Sequence, residues 1–598
     1  MSKRWTARRV AVIGGGIAGL TAAHELAGRG FDVTLHEMRP GGARGLGGKA
    51  RSQYFAVNGA EVPGEHGYRF MPAFYRCLPE TMARIPGRLE PGRYRAEAFR
   101  EPCGGSVRDS LVGLSHMAIA RENFPLLTIH RNAPRYSEVG GLVLTLAKIF
   151  HSISGAELHH IGKKLLHYCT RGPVERMQRF EQLSFWEYME ADKLGPIAQR
   201  VLECTPQALV AMKASEGSAR TLLDVLVLMM LDFRRPGPSE FVLPGPTTDT
   251  WLGPWARWLA QLGVRFEQGP EQRVTRIEVE GREVVAVHRA GAPPIRADWY
   301  VLATPLEATQ GIVAQSPAAR DRCAELDKVA AIPLDATTRW MVGVQFLLRG
   351  ADRPWVRGHV AFGDSPWGIT GVSQRQFWRP EYVERLTAAG GSGMLSIIAT
   401  EWNQPRDCEV PRAESLTLPQ IQAEIIRQIA KCRDADQQPM LRSQDVLAFH
   451  FDQDVGFEHG RPGRNRSPLL IHPPGSWARR PSPASDLRNL VLCGDHVQNP
   501  MDLATMEGAC ASARMAANVV LDGADHDVAD RAMVIDDYQR EHVPTAWRQL
   551  GRINDVRFLQ RRETRMPAHD PTVSPESREE AVDRLAREAA RIGRQEVA

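Results

Sequence analysis

Residues Val10 to Glu37, VAVIGGGIAGLTAAHELAGRGFDVTLHE, constrain the fold of this 598-residue chain more than any other stretch. Val10 to Ile13 is a short apolar run of the kind that forms a buried parallel strand. Gly14, Gly16 and Gly19 follow with G-x-G-x-x-G spacing. Leu20 to Gly28 then reads as a helix rich in Ala and Leu, and Asp32 to Glu37 as a second strand ending on an acid. Strand, glycines, helix, strand and acid in register describe a dinucleotide-binding unit. Gly14 permits the tight turn, Gly16 lets backbone approach a pyrophosphate, and Gly19 lets the helix pack on the strand. The helix N-terminus, at Ile17 and Ala18, offers N–H groups to phosphate. Glu37 stands where a carboxylate accepts hydrogen bonds from ribose hydroxyls.

The length allows two or three domains with a large core. A formal net charge of +5 is small for 598 residues, and no dense Lys/Arg block interleaved with aromatics occurs, which argues against a nucleic-acid partner. The nine cysteines are scattered and lack C-x-x-C, so neither a disulfide framework nor a zinc site is expected, and no metal is assigned. A reducing cytoplasmic location follows, with peripheral attachment to the inner face of the membrane as the second option. No apolar run is long enough to span a bilayer. Arg8-Arg9 precedes an apolar stretch as in a twin-arginine signal, but that stretch is the nucleotide-binding strand, so the signal reading is rejected.

Met38 to Ser52 is crowded with glycine and punctuated by Arg39, Arg44, Lys49 and Arg51. Such backbone lies against something that leaves no room for side chains. A glycine fingerprint, an acid ending the second strand and a Gly-Gly-basic segment soon after resemble the N-terminal signature of the flavin amine oxidoreductase superfamily. The resemblance implies an α/β chain: a discontinuous Rossmann-like FAD-binding domain (GR2-type) with an inserted mixed α+β substrate domain and helical segments. It implies FAD, with Met38, Arg39, Arg44, Gly47, Gly48 and Lys49 along the diphosphate. Glu65-His66-Gly67 with Phe70 and Phe74-Tyr75 is similar to the phytoene-desaturase-like branch, and to its hydroxysqualene-dehydroxylase-like subset in particular. That places Gly67, Tyr68 and Arg69 beside the flavin ring. Glu65, His66 and Arg69 become the catalytic candidates; for His66, packing is an equal alternative.

The same resemblance extends down the chain. Val274 would recognise adenine through its backbone, and Ala303-Thr304 would skirt the diphosphate. Gly494-Asp495 ends a later strand, and Thr505, Met506 and Ala509 open a long helix whose N-terminus would face the flavin's anionic edge. Glu507 joins the catalytic candidates by proximity. Six parts are expected: an FAD-binding domain from 8–90, 251–315 and 481–525, a mainly helical segment over 91–250, a substrate-binding sheet over 316–480 and a helical tail over 526–598. Within these, 141–169 reads as a basic amphipathic helix, suited either to a membrane surface or to ordinary half-burial. Thr221 to Leu231 reads as core or as the wall of a lipophilic cavity. Trp367, Trp378 and Trp402 are offered to a pocket, with core the default.

The function expected is an FAD-dependent oxidoreductase acting by hydride transfer on a bulky lipophilic substrate, isoprenoid or polyene in character. Oxidation and reductive dehydroxylation both stay open. The alternative is an amine oxidase; against it, Gly494 to Pro500 holds no aromatic pair to sandwich an amine. A non-catalytic flavin-binding membrane scaffold is a third reading. The substrate is a small lipophilic molecule, and the oligomeric state is undetermined.

Overall fold

The computed structural model describes residues 8–87, 105–114, 116–130, 153–210, 212–232, 237–350, 354–403, 409–535, 538 and 545–565. Two sequence expectations fall partly outside these residues: the start of the basic amphipathic stretch, 141–152, and the tail beyond 565.

Five parallel strands form the first sheet: β1 (Arg9–Ile13), β2 (Asp32–Glu37), β3 (Arg265–Gln268), β4 (Trp299–Leu302) and β5 (Leu490–Leu492), in the order β3-β2-β1-β4-β5. Strands from three remote parts of the chain thus lie side by side. Val10 pairs with Val33 and with Trp299, and Val301 with Val491. Both faces are buried, which is why these strands read as continuous apolar runs. Val10, Val12, Leu35 and Val301 pack towards α1 (Ile17–Ala27) and α3 (Met506–Gly523). Ala11, Ile13, Tyr300 and Leu302 face the opposite side, under the antiparallel hairpin Val274–Glu280/Glu283–Arg289 and the helix Leu306–Ala314. Each fully buried side chain of this size contributes roughly 1.5–3 kcal/mol. All eleven residues of α1 are buried, and its small residues let it fit between sheet and α3.

Another helix, α2 (Cys77–Ala83), lies against α3. Its N-terminus is capped across 430 residues of sequence: Glu507 Oε1 accepts from Arg76 N at 2.8 Å and Cys77 N at 2.7 Å, and Oε2 from Leu78 N at 2.8 Å. A carboxylate here satisfies orphan N–H groups and complements the helix dipole.

The second sheet has seven strands, in the order 446–451, 342–348, 393–399, 369–373, 358–362, 116–120 and 127–130. The runs Arg339 to Leu348, Gly358 to Asp364, Trp367 to Gln374 and Gly393 to Thr400, whose Trp, Phe, Val and Ile content predicts strands, hold the strands 342–348, 358–362, 369–373 and 393–399, with the helix Pro380–Ala388 between the last two. The strands 116–120 and 127–130 lie in the region expected to be mainly helical, and join this sheet through a parallel pairing with 358–362. Their short alternating runs carry too weak a periodicity to be separated from helix by pattern alone. The helix Leu418–Ala430 covers one face with Ile421, Ile425 and Ile429. Trp367 and Trp402 are buried in that core, their ring centroids 6.0 Å apart. The helix Ala219–Asp232 likewise supplies Leu222, Leu223, Val225 and Leu228 to the first core.

Candidate functional site

The carboxyl ends of β1, β4 and β5 meet at one mouth, the crevice where open α/β sheets bind ligands. Gly14 turns the chain there with φ +107°, and a Cβ on it would sit 2.6 Å from the Ala303 carbonyl oxygen. Gly19 closes the same turn from the helix side: a Cβ there would overlap the Gly14 oxygen. Gly16 differs from both. It is the N-cap of α1, has no side-chain cap, and a Cβ on it meets nothing within 4 Å. The first and third glycines are therefore required by packing within the chain, and the second opens onto the helix N-terminus. That is the division expected of a pyrophosphate cradle.

Glu37 is buried at the end of β2. Its Oε2 accepts from Gly15 N at 2.8 Å and its Oε1 from Arg39 N at 2.9 Å. These contacts hold the carboxylate in the mouth and leave lone pairs for a ribose. The loop after it returns to the fingerprint, with Gly47 N donating to Gly15 O at 2.7 Å and Gly48 lying over Gly16. Val274 starts its strand beside the end of β2, where Gly269 N donates to Glu37 O at 3.0 Å. Ala303 N donates to Ile13 O at 2.9 Å, which sets the Ala303-Thr304 turn against Gly14. Gly494 is tied to α3 by Ser512, whose Oγ accepts from Gly494 N at 3.0 Å and donates to Gly494 O at 2.9 Å. Asp495 follows at the mouth. Thr505 caps α3, its Oγ1 accepting from Gly508 N at 3.1 Å, and Met506 and Ala509 form the helix's first turn.

The basic residues divide. Lys49 donates to Pro468 O at 2.6 Å, and it lies close enough to Glu307 and His496 to act on their titration. Arg39 reaches Asp454 at 3.6 Å. Arg44 is engaged elsewhere: it pairs in a bidentate manner with Glu61, at 2.9 and 2.7 Å, and lies over the Tyr54 ring, half exposed. Met38 is also half exposed. Sequence reasoning passed over Glu307 and His496. Burial raises the Glu307 pKa, and its Oε1 has no partner; burial lowers that of His496 to about 4.

The segment Glu65–Arg69 is clamped by the second sheet. Gln345 holds both sides of Glu65, accepting from its N–H and donating to its carbonyl, each at 2.9 Å. Glu65 Oε1 accepts from Ser52 Oγ at 2.8 Å and Thr247 N at 2.9 Å, while Oε2 is buried without a partner. Burial raises its pKa. His66 Nδ1 is 2.5 Å from Asp452 Oδ2. Tyr68 donates to Thr370 Oγ1 at 2.9 Å, and Gly67 lies against Ile398. Arg69 is held by the carbonyls of Lys49 and Ala50, and burial lowers its pKa. Gln345 and Asp452 were not foreseen; they are distant in sequence and carry no local pattern.

Among the described residues His66, Asp452 and Asp454 gather potential ligand atoms within 4.8 Å of one another. Their acids are already engaged. Asp454 accepts from Arg51 at 2.7 and 3.1 Å and from Ser467 at 2.6 Å, and Asp452 from Gln53 at 2.7 Å. Asp454 is thus taken by Arg51 and Ser467, and Asp452 holds the His66 ring. Glu507, by contrast, is spent on capping α2 and on Tyr538, whose hydroxyl donates to it at 2.6 Å.

A small cleft of about 20 Å³ opens beside this segment. Tyr68, Val242, Leu243, Phe377 and Trp378 form its apolar wall, with Glu65 and Arg69 among its polar groups. Of the three tryptophans offered to a pocket, only Trp378 lines it.

Residues 9–102 match the family described as FAD dependent oxidoreductase, and residues 256–521 the family described as flavin containing amine oxidoreductase. The methylenetetrahydrofolate–tRNA-(uracil-5-)-methyltransferase of Streptococcus uberis is 31% identical over 160 residues, 24% of this chain and 33% of that protein. The chain thus spans about a third of the length of the curated relatives it matches. Among solved structures, a putrescine oxidase superposes with TM-score 0.55 at 11% identity, over 86% of this chain and 99% of its own. The cyclohexylamine oxidase of Brevibacterium oxydans does so with TM-score 0.53 at 14% identity, over the same shares. At such identities the likeness is one of fold. The dinucleotide mouth and the two family matches lead to one conclusion: the protein is an FAD-dependent oxidoreductase, similar over residues 256–521 to the flavin containing amine oxidoreductases.

Proposed function

We propose that the protein oxidises or reduces a bulky lipophilic substrate in the cleft beside Glu65–Arg69. The observation that carries this reading is the wall of Tyr68, Val242, Leu243, Phe377 and Trp378, adjoining the segment Glu65–Arg69 that this reading sets beside the flavin ring. In this reading Gly16, Ile17 and Ala18 receive the diphosphate, Glu37 the ribose and Val274 the adenine. Asp495 and the N-terminus of α3 at Thr505-Met506 serve the far end.

Bound FAD supplies the two-electron chemistry, accepting or returning hydride. The protein's own part is binding, orientation and exclusion of water. The apolar wall removes the substrate's hydrocarbon from water, an effect of roughly 25 cal/mol per Å² buried. Burial raises the Glu65 pKa above that of a solvated carboxyl, and its Oε2 faces no protein partner. Asp452 holds His66, and Gln345 fixes the backbone between them.

The second reading, an amine oxidase, is favoured by the description of the family matched over 256–521. Anaerobic illumination of the flavoprotein with a polyisoprenoid or with an aliphatic amine separates the two. Bleaching of the flavin bands by the polyisoprenoid supports the first; bleaching by the amine alone overturns it.

A further inference from the structure

We propose that Glu307 and His496 are cofactor-binding residues that hold hydroxyls of the ribityl chain of FAD. The assignment rests on the diphosphate lying at Gly16, as proposed above. The strand order β3-β2-β1-β4-β5 gives the mouth a direction. Glu37, for the adenosine ribose, ends β2, and Gly16 follows β1. The strands beyond β1 are β4 and β5, so their ends adjoin what comes after the diphosphate, which in FAD is the ribityl chain. Glu307 follows β4 in the first turn of the helix Leu306–Ala314, and His496 follows β5. A Cβ on Gly494 would lie 3.0 Å from the His496 ring and 3.8 Å from the Thr304 oxygen, so the turns after the two strands lie together. Lys49 and Asp495 act on the titration of both Glu307 and His496, and Gly48, next to Lys49, lies over Gly16.

The protein leaves both side chains incomplete. Glu307 Oε1 is buried without a hydrogen-bond partner, and so are both ring nitrogens of His496, a residue 1% exposed. Asp495 Oδ1 is 4.0 Å from His496 Nδ1, beyond hydrogen-bond reach. Arg480 and His472 stand near the ring, but Asp502 holds both. Burying such atoms unpaired costs free energy that a partner in the mouth recovers.

Chemistry selects the partner. An acid is badly placed against phosphate, whose charge it repels, and well placed against O–H donors. Burial lowers the His496 pKa to about 4, so near neutral pH the ring offers one N–H and one lone pair rather than a cation for phosphate. A run of hydroxyls, each both donor and acceptor, satisfies Glu307 and His496 together. Phosphate oxygens, which only accept, leave Glu307 unpaired.

The test uses the full-length protein with Glu307→Leu and, separately, His496→Leu. FAD is expected to leave each holoprotein roughly tenfold faster or more, followed by the rise in flavin fluorescence on dilution. ADP carries the adenosine and diphosphate but no ribityl chain, and its affinity for the flavin-free chain should stay within about twofold of wild type. Because an apolar group replaces an unpaired buried atom, flavin-free Glu307→Leu should melt no lower than wild type. That half-buried position carries the test alone if His496→Leu packs poorly. Unchanged FAD release, an equal loss of ADP affinity, or a lower melting temperature of flavin-free Glu307→Leu would each overturn the assignment. Gly16→Val reports separately on the diphosphate: it should weaken FAD and ADP alike, and retained ADP binding would overturn the placement at Gly16 itself.

Discussion

Gly16→Val separates cofactor binding from folding more cleanly than any other single change. The wild-type residue has φ −74° and ψ −177°, extended backbone that any residue adopts. A Cβ placed there meets no atom of the protein within 4 Å. The added side chain therefore costs the apoprotein almost nothing, and reduced freedom of the unfolded chain stabilises it by up to about 1 kcal/mol. The same side chain stands over the N-terminus of α1, where the diphosphate is proposed to lie. Loss of even two phosphate hydrogen bonds, each about 1.5–3 kcal/mol when the partner is charged, weakens FAD binding by roughly two to four orders of magnitude. Gly19→Val is the control: its Cβ would overlap the Gly14 oxygen, so fold and cofactor should fail together. The assay is the ratio of flavin to protein absorbance after purification, with reconstitution by added FAD followed through quenching of flavin fluorescence. The melting temperature of the apoprotein is measured in parallel. A soluble Gly16→Val protein that binds FAD as tightly as wild type would refute the placement of the diphosphate.

Glu507→Ala leaves three backbone N–H groups and the Tyr538 hydroxyl without their acceptor. A loss of about 3–5 kcal/mol, read from the urea midpoint, is expected; wild-type stability with slowed turnover would restore Glu507 to the chemistry. His450 is held neutral by burial, with its pKa lowered to about 4, and so is His496. The unfolded chain binds those protons near pH 6.5 and the folded chain only near pH 4. Stability should therefore be full above about pH 6.5 and decline as pH falls towards 4. Urea midpoints across that range check it, and a flat profile would count against buried neutral imidazoles.

Where sequence reading succeeded, the information was local. G-x-G-x-x-G names its own turn because only glycine tolerates the φ of Gly14 and the contact at Gly19. The stretch Ala303-Thr304 and the helix opened by Thr505 and Met506 likewise lie where their flanking strands deliver them. It failed where partners are remote. Arg44 looked like a phosphate ligand among glycines, but the hairpin of Ser52–Val57 and Ala60–Glu65 brings Glu61 and Tyr54 to it. Glu507 looked reactive at a helix start, yet it faces the N-terminus of a different helix. Trp367 and Trp402 were indistinguishable from Trp378 in sequence; the sheet turns the first two into its core and the third towards the cleft.

The chain alone determined the dinucleotide unit, its cofactor class and the alternation of strand and helix, since these depend on residues within a few turns of each other and on backbone sterics that each residue carries with it. Tertiary structure alone decided which groups reach the segment Glu65–Arg69. Gln345 and Asp452 sit about 280 and 390 residues beyond the segment they hold and become neighbours only when the second sheet closes upon the first. Pairings of that kind are set by packing between layers, to which no spacing in the sequence corresponds.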